Sequence, residues 1–149
     1  KAEQKILDIF NATGFKLKYR NIGNWTYGLT STYDYDKSIT LSTELFDTSK
    51  RIWKGSEQIT LENVTYHELG HFVAWITDRS DLTNKMQQLK KEEDKRHTEN
   101  ATEYFADSYM RWVLNRNQLK KEQPRTYQYI KEQIDYISKT PISHWIGKY

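Results

Sequence analysis

Thr60-Leu61-Glu62-Asn63-Val64-Thr65-Tyr66-His67-Glu68-Leu69-Gly70-His71-Phe72-Val73-Ala74-Trp75-Ile76 is the stretch on which the reading of this chain turns. Thr60 is a residue type that caps helix N-termini, and Val64, Leu69, Phe72, Val73 and Ile76 recur at helical spacing behind it. The segment is therefore expected to be helical, ending in the polar run Thr77 to Asp81. Inside it stands His67-Glu68-Leu69-Gly70-His71, a His-Glu-x-x-His pattern.

On a helix, side chains four residues apart lie one above the other, about 6 Å apart. Both imidazoles can then turn a nitrogen onto a single metal ion. Glu68 is one residue further along, about 100° around the helix. That is a strained place for a ligand to the same ion but a good one for holding a water beside it. Zinc held by three protein ligands lowers the pKa of a bound water toward ~7, and a carboxylate can take the water's proton as it attacks a carbonyl. The chemistry this pattern points to is metal-assisted peptide hydrolysis. A solvated helix face is the bland alternative, but Lys or Gln would serve it better than two of the chain's four histidines.

A third ligand is required. Ala74 and Thr77 stand where the extended metzincin pattern would need Gly and His. The chain has no cysteine, so thiolate ligation, a Cys nucleophile and disulfides are all excluded. Four candidates fall in one short downstream region: His97, Glu99, Glu103 and Asp107. Glu103 and Asp107 are four apart on an expected helix from Glu99 to about Asn115, capped by Thr98 and carrying Ala101, Phe105, Tyr109 and Trp112 on one stripe. One of the pair could ligate while the other orients a ligand histidine.

Outward from this centre, Ala2, Ile6, Ile9 and Phe10 form the stripe of a first helix that Gly14 ends. Phe15, Leu17 and Tyr19 then alternate with Lys16, Lys18 and Arg20, as a half-buried strand would. Tyr27 to Tyr35 and Ser38 to Ser42 read as two more strands of a small, partly antiparallel sheet. Phe46 to Gln58 reads as a polar loop near the cleft, its Trp53 either touching substrate or plugging the sheet as core. A short charged helix is expected over Leu82 to Lys95. A last amphipathic one follows Pro124, with Tyr127, Ile130, Ile134 and Ile137 inward. His144 beside Trp145 reads as packing or surface.

The chain's 149 residues suit a single domain, residues 1–149, able to bury roughly 68–70% of its unfolded surface. Hydrophobic residues make up only 36%, but 5 Trp, 11 Tyr and 5 Phe mean that rings must supply much of the core. A net charge of +3, spread as mixed clusters such as Lys90-Lys91-Glu92-Glu93-Asp94-Lys95-Arg96, argues against a nucleic-acid partner. No run approaches a transmembrane segment. Lys1 opens a polar stretch without a signal peptide, and the absence of an initiating Met suggests a mature or trimmed chain.

Glu99-Asn100-Ala101-Thr102-Glu103-Tyr104-Phe105-Ala106-Asp107-Ser108-Tyr109, after the His-Glu-x-x-His element and before Pro124-Arg125-Thr126-Tyr127-Gln128-Tyr129-Ile130, resembles the family of the anthrax lethal factor catalytic domain and the bacterial Pro-Pro endopeptidases. The Glu-aromatic-Phe-Ala-acid and Pro-x-Thr-aromatic elements carry the likeness over about residues 60 to 137. It implies an α+β, zincin-like fold of gluzincin type, with a small twisted mixed sheet over an active-site helix, and a secreted zinc endopeptidase. It also implies His67, His71 and Glu103 as zinc ligands, Glu68 as general base and Asp107 behind a ligand histidine. Two positions depart from the family. Asp107 replaces a Glu, and Arg96 stands where the family has its active-site tyrosine, leaving the adjacent His97 as a substitute oxyanion donor. A peptide or protein substrate is expected to bind as an added strand along a sheet edge in the Tyr27 to Ser42 region, on a monomer. The competing reading is a zinc-binding but catalytically silent, toxin-associated module.

Overall fold

The computed structural model describes residues 2–77, 81–95 and 99–147. Its α-helices and β-strands run α1 (Ala2–Ala12), β1 (Lys16–Arg20), β2 (Gly28–Tyr33), β3 (Asp36–Ser42), β4 (Ile52–Lys54), β5 (Glu57–Ile59), α2 (Leu61–Ile76), α3 (Leu82–Glu93), α4 (Ala101–Leu114), α5 (Arg116–Glu122) and α6 (Pro124–Lys139), with 3-10 turns at Thr43–Phe46 and Ile142–His144. The architecture is α+β. The larger sheet has the order β1-β3-β2 and is mixed, since β1 runs parallel to β3 and β2 antiparallel to it.

Each of the two hairpins closes in two residues. Asp34 and Tyr35 turn β2 into β3, and Gly55 and Ser56 turn β4 into β5, where Gly55 takes a φ of +61° that costs it no Cβ clash. The second hairpin corrects the reading of 46–58 as a loop. Three-residue strands are too short to show a period.

β1 corrects another expectation. Phe15 is buried, but it precedes the strand; Leu17 and Tyr19 are 47% and 53% exposed. β1 is an edge strand, and α2 packs on β2 and β3 instead. Ile39 and Leu41 of β3 therefore carry the sheet's buried apolar face, and Tyr19 meets the ring of Phe46 at 5.3 Å.

Rings do fill the core. Phe72 of α2 meets Phe10 at 5.1 Å and Phe15 at 4.8 Å, both edge-on, the geometry that aromatic quadrupoles favour. Phe105, Tyr109 and Trp112 line the buried side of α4 with Ala101. The cap of α4 is Asn100 rather than Thr98, which lies outside the described residues. Trp145 is fully buried, and its indole donates to the Ile76 carbonyl at 3.0 Å, satisfying an acceptor at the end of α2. His144 packs on Trp145 at 5.2 Å and meets the Tyr136 hydroxyl at 3.4 Å.

The N-terminus of α6 has no side-chain cap from its own segment. Glu93, at the end of α3, supplies one: its carboxylate accepts from Arg125 N at 3.0 Å, Thr126 N at 2.6 Å and the Thr126 hydroxyl at 2.8 Å. Thr126 Oγ1 in turn meets the buried Tyr104 hydroxyl at 2.9 Å. The Pro124-Arg125-Thr126-Tyr127 element thus ties α3, α4 and α6 together.

Candidate metal centre

α2 begins where Thr60 accepts from Asn63 N at 3.0 Å. Its apolar side turns Phe72, Val73 and Ile76 inward, and this leaves His67 and His71 together on the flank facing α4, ring centroids 4.9 Å apart. Gly70 lies between them on the same crossing. A Cβ there would stand 2.8 Å from Ala106 Cα and 2.9 Å from Ala106 O, so only glycine lets α4 come this close.

The approach brings Glu103 to the histidines. Asn100 caps α4 by accepting from Glu103 N at 3.0 Å, which fixes the first turn of the helix. The Glu103 carboxylate spans the imidazole pair, Oε2 at 3.0 Å from His67 Nε2 and Oε1 at 3.1 Å from His71 Nε2. One helical turn on, Asp107 Oδ1 lies 2.6 Å from His67 Nδ1. Glu99 instead pairs with Lys54 at 3.3 Å on the surface, and His97 and Arg96 lie outside the described residues.

One donor atom from each of His67, His71 and Glu103 falls within 4.8 Å of the others. Two imidazole nitrogens and a carboxylate oxygen form a donor set that suits zinc and its first-row neighbours, and the three converge from two rigid helices. The electrostatics agree. Burial opposes charge on His67, but its hydrogen bonds to Asp107 and Glu103 outweigh that and raise its pKa to about 10. The same histidines hold the Glu103 carboxyl well below the usual range, with His67 the larger influence. The carboxylates of Glu68, Glu103 and Asp107 around the imidazole pair give the site a surplus of negative charge, which suits a cation.

Glu68 faces the other way, into the sheet side of the cleft, and is 6% exposed. Burial pushes its carboxyl up against the opposing pull of His67 and His71. Oε2 stands 3.8 Å from His67 Nε2, while Oε1 accepts from the Thr30 hydroxyl at 2.8 Å. The cleft above has a volume of about 900 Å³ and includes Gly28, Trp53, Glu68 and Glu103 in its lining, with Trp25 at the rim. Trp53 is 55% exposed, so it is a cleft residue and not a core plug.

Thr30, Gly28 and Trp25 are site residues that the sequence did not disclose. Thr30 and Glu68 are 38 positions apart, and no local pattern joins them. Trp25 had a faint signal in the Gly23-Asn24 turn dipeptide: Gly23, Asn24 and Trp25 all take positive φ, of 72°, 53° and 59°.

An α+β domain in which a His-Glu-x-x-His helix and a carboxylate helix converge defines a class of protein with a candidate centre for a metal ion. Residues 4–133 match the family described as Anthrax toxin lethal factor, N- and C-terminal domain, and the chain belongs to that family. No curated protein matches it. Among the described residues no helix is long and apolar enough to cross a membrane.

Proposed function

We propose that the chain is a zinc-dependent endopeptidase with a zincin-like domain, working as a secreted monomer. The observation that carries this is the convergence of His67, His71 and Glu103 beside the buried Glu68, with His67, Glu68 and Glu103 lining an open cleft.

In this reading His67, His71 and Glu103 hold the metal. Asp107 accepts from His67 Nδ1–H, which fixes the tautomer and presents Nε2 to the ion. Zinc bound there would supply Lewis-acid polarisation and an acidified water. Glu68 takes the proton of the attacking water on Oε2 and delivers it to the leaving amine, a task suited to a carboxylate whose pKa burial has raised. His97 donates to the carbonyl oxygen as it gains charge. The peptide lies extended along the edge of β2, whose outer backbone groups take an added strand.

The test is metal analysis of the purified chain followed by cleavage of a peptide library. Glu68→Gln is expected to keep the metal and lose turnover; cleavage at the parent rate would remove Glu68 from the role of base. Arg96 at the position of the family's tyrosine favours a second reading, a metal-binding but silent toxin-associated module. A metal-loaded parent chain that leaves the whole library intact would select it.

A further inference from the structure

A buried carboxylate is stable only with donors around it, and the donor that Glu68 has found on the sheet is specific. The Thr30 hydroxyl lies 2.8 Å from Glu68 Oε1 and 3.1 Å from the Glu68 backbone oxygen. A hydroxyl has one proton to give, and the carboxylate is both nearer and the stronger acceptor. With Oε1 taken, Oε2 is the oxygen left turned toward His67.

Two residues earlier on the same face of β2 is Gly28. A Cβ there would stand 2.7 Å from Glu68 Cγ and 3.0 Å from its Cδ, so a larger residue would push the carboxylate off its place. β2 therefore offers Glu68 a slot, open at 28 and holding a donor at 30. The slot is rigid because Gly28 and Thr30 pair with Leu41 and Ile39 of β3, both buried in the core.

We infer that Thr30 is a positioning residue for Glu68, holding Oε1 so that Oε2 faces His67, and that Gly28 supplies the room this needs. The inference rests on the reading of Glu68 as the base. It deepens that reading, because the strand proposed to align the peptide backbone also orients the group that moves the proton.

Acetohydroxamate is a suitable probe, since a hydroxamic acid gives up a proton to a neighbouring carboxylate as it binds a metal. It is titrated into the zinc-loaded parent chain, Thr30→Val, Thr30→Ser and Glu68→Gln, with zinc affinity measured for each. Thr30→Val is expected to bind ~10-fold more weakly, the scale of one charge-assisted hydrogen bond lost, while Thr30→Ser stays within ~2-fold of the parent. Zinc affinity should be the same in all four. If Thr30→Val binds as the parent does while Glu68→Gln is weakened, the positioning role is overturned and the base survives. If Glu68→Gln matches the parent, the base reading falls and this inference with it. A parallel loss of zinc affinity in Thr30→Val would also overturn it, by showing a purely structural role. Should Thr30→Val fail to fold, Thr30→Ala makes the same comparison.

Discussion

Gly70 of α2 and Ala106 of α4 meet backbone to backbone, with room for no side-chain atom at position 70. This contact brings a carboxylate on one helix to two imidazoles on the other. Gly70→Ala should destabilise the chain by about 1–3 kcal/mol through overpacking. It should also weaken metal binding, because Glu103 moves away with α4. Urea unfolding and a zinc titration against a competing chelator check both, and a variant with unchanged zinc affinity would show that α4 gives way without moving Glu103.

Asp107 sits behind His67 at 2.6 Å. Asp107→Ala is expected to lower zinc affinity by ~10–100-fold, the usual cost of losing the partner of a ligand histidine. The same chelator competition reads it. An affinity equal to the parent's would mean that His67 keeps its orientation without Asp107.

The pH dependence of the metal-free chain follows from His67, whose pKa rises from 6.5 to about 10 on folding. A raised pKa means that the folded state holds its proton more tightly than the unfolded state. The stabilisation is complete below pH 6.5 and is lost as pH climbs through about 10. Melting of chelator-treated protein should therefore fall over that interval, and Asp107→Asn should flatten the slope. A parent slope no steeper than that of the variant would contradict the assignment.

Trp53, at 55% exposure on the hairpin edge of the cleft, is expected to melt within about 0.5 kcal/mol of the parent when changed to Ala. Impaired cleavage of a confirmed peptide with unchanged melting would match its position. A large stability loss would show that the indole supports the hairpin and would remove it from a role in substrate contact.

α2 was readable because cap, apolar period and His-Glu-x-x-His coincide within one helix, each reinforcing the others. The stripe of α4 and that of α6 were readable on the same ground: Phe105, Tyr109 and Trp112, then Ile130, Ile134 and Ile137, are buried as their spacing required. What escaped lies in short or non-local structure. α5 spans seven residues with Leu119 as its buried residue, too little for a period to emerge. Trp145 is a single ring after the short 3-10 turn Ile142–His144, and its hydrogen-bond partner is a carbonyl 69 residues earlier. The alternation in Lys16–Arg20 was real, but alternation marks a strand and does not say whether a helix covers it. At the site, the identities of His67, Glu68 and His71 could be read locally. Which carboxylate reaches the histidines depends on how closely two helices approach, and that is set by a glycine rather than by a charged residue.

Among the described residues the three-stranded sheet ends on β1 and β2, and these two edge strands are not equivalent. Along β1 the residues Lys16, Lys18 and Arg20 place a cation at every second position. Such a row repels a second strand bearing the same charges and discourages edge-to-edge aggregation. β2, from Gly28 to Tyr33, carries no charge at all. A backbone looking for a partner is thus turned away from the rim far from α2 and admitted at the rim beside it. The cost is an unguarded strand, and a cleft kept filled by peptide would be the chain's own protection against self-association.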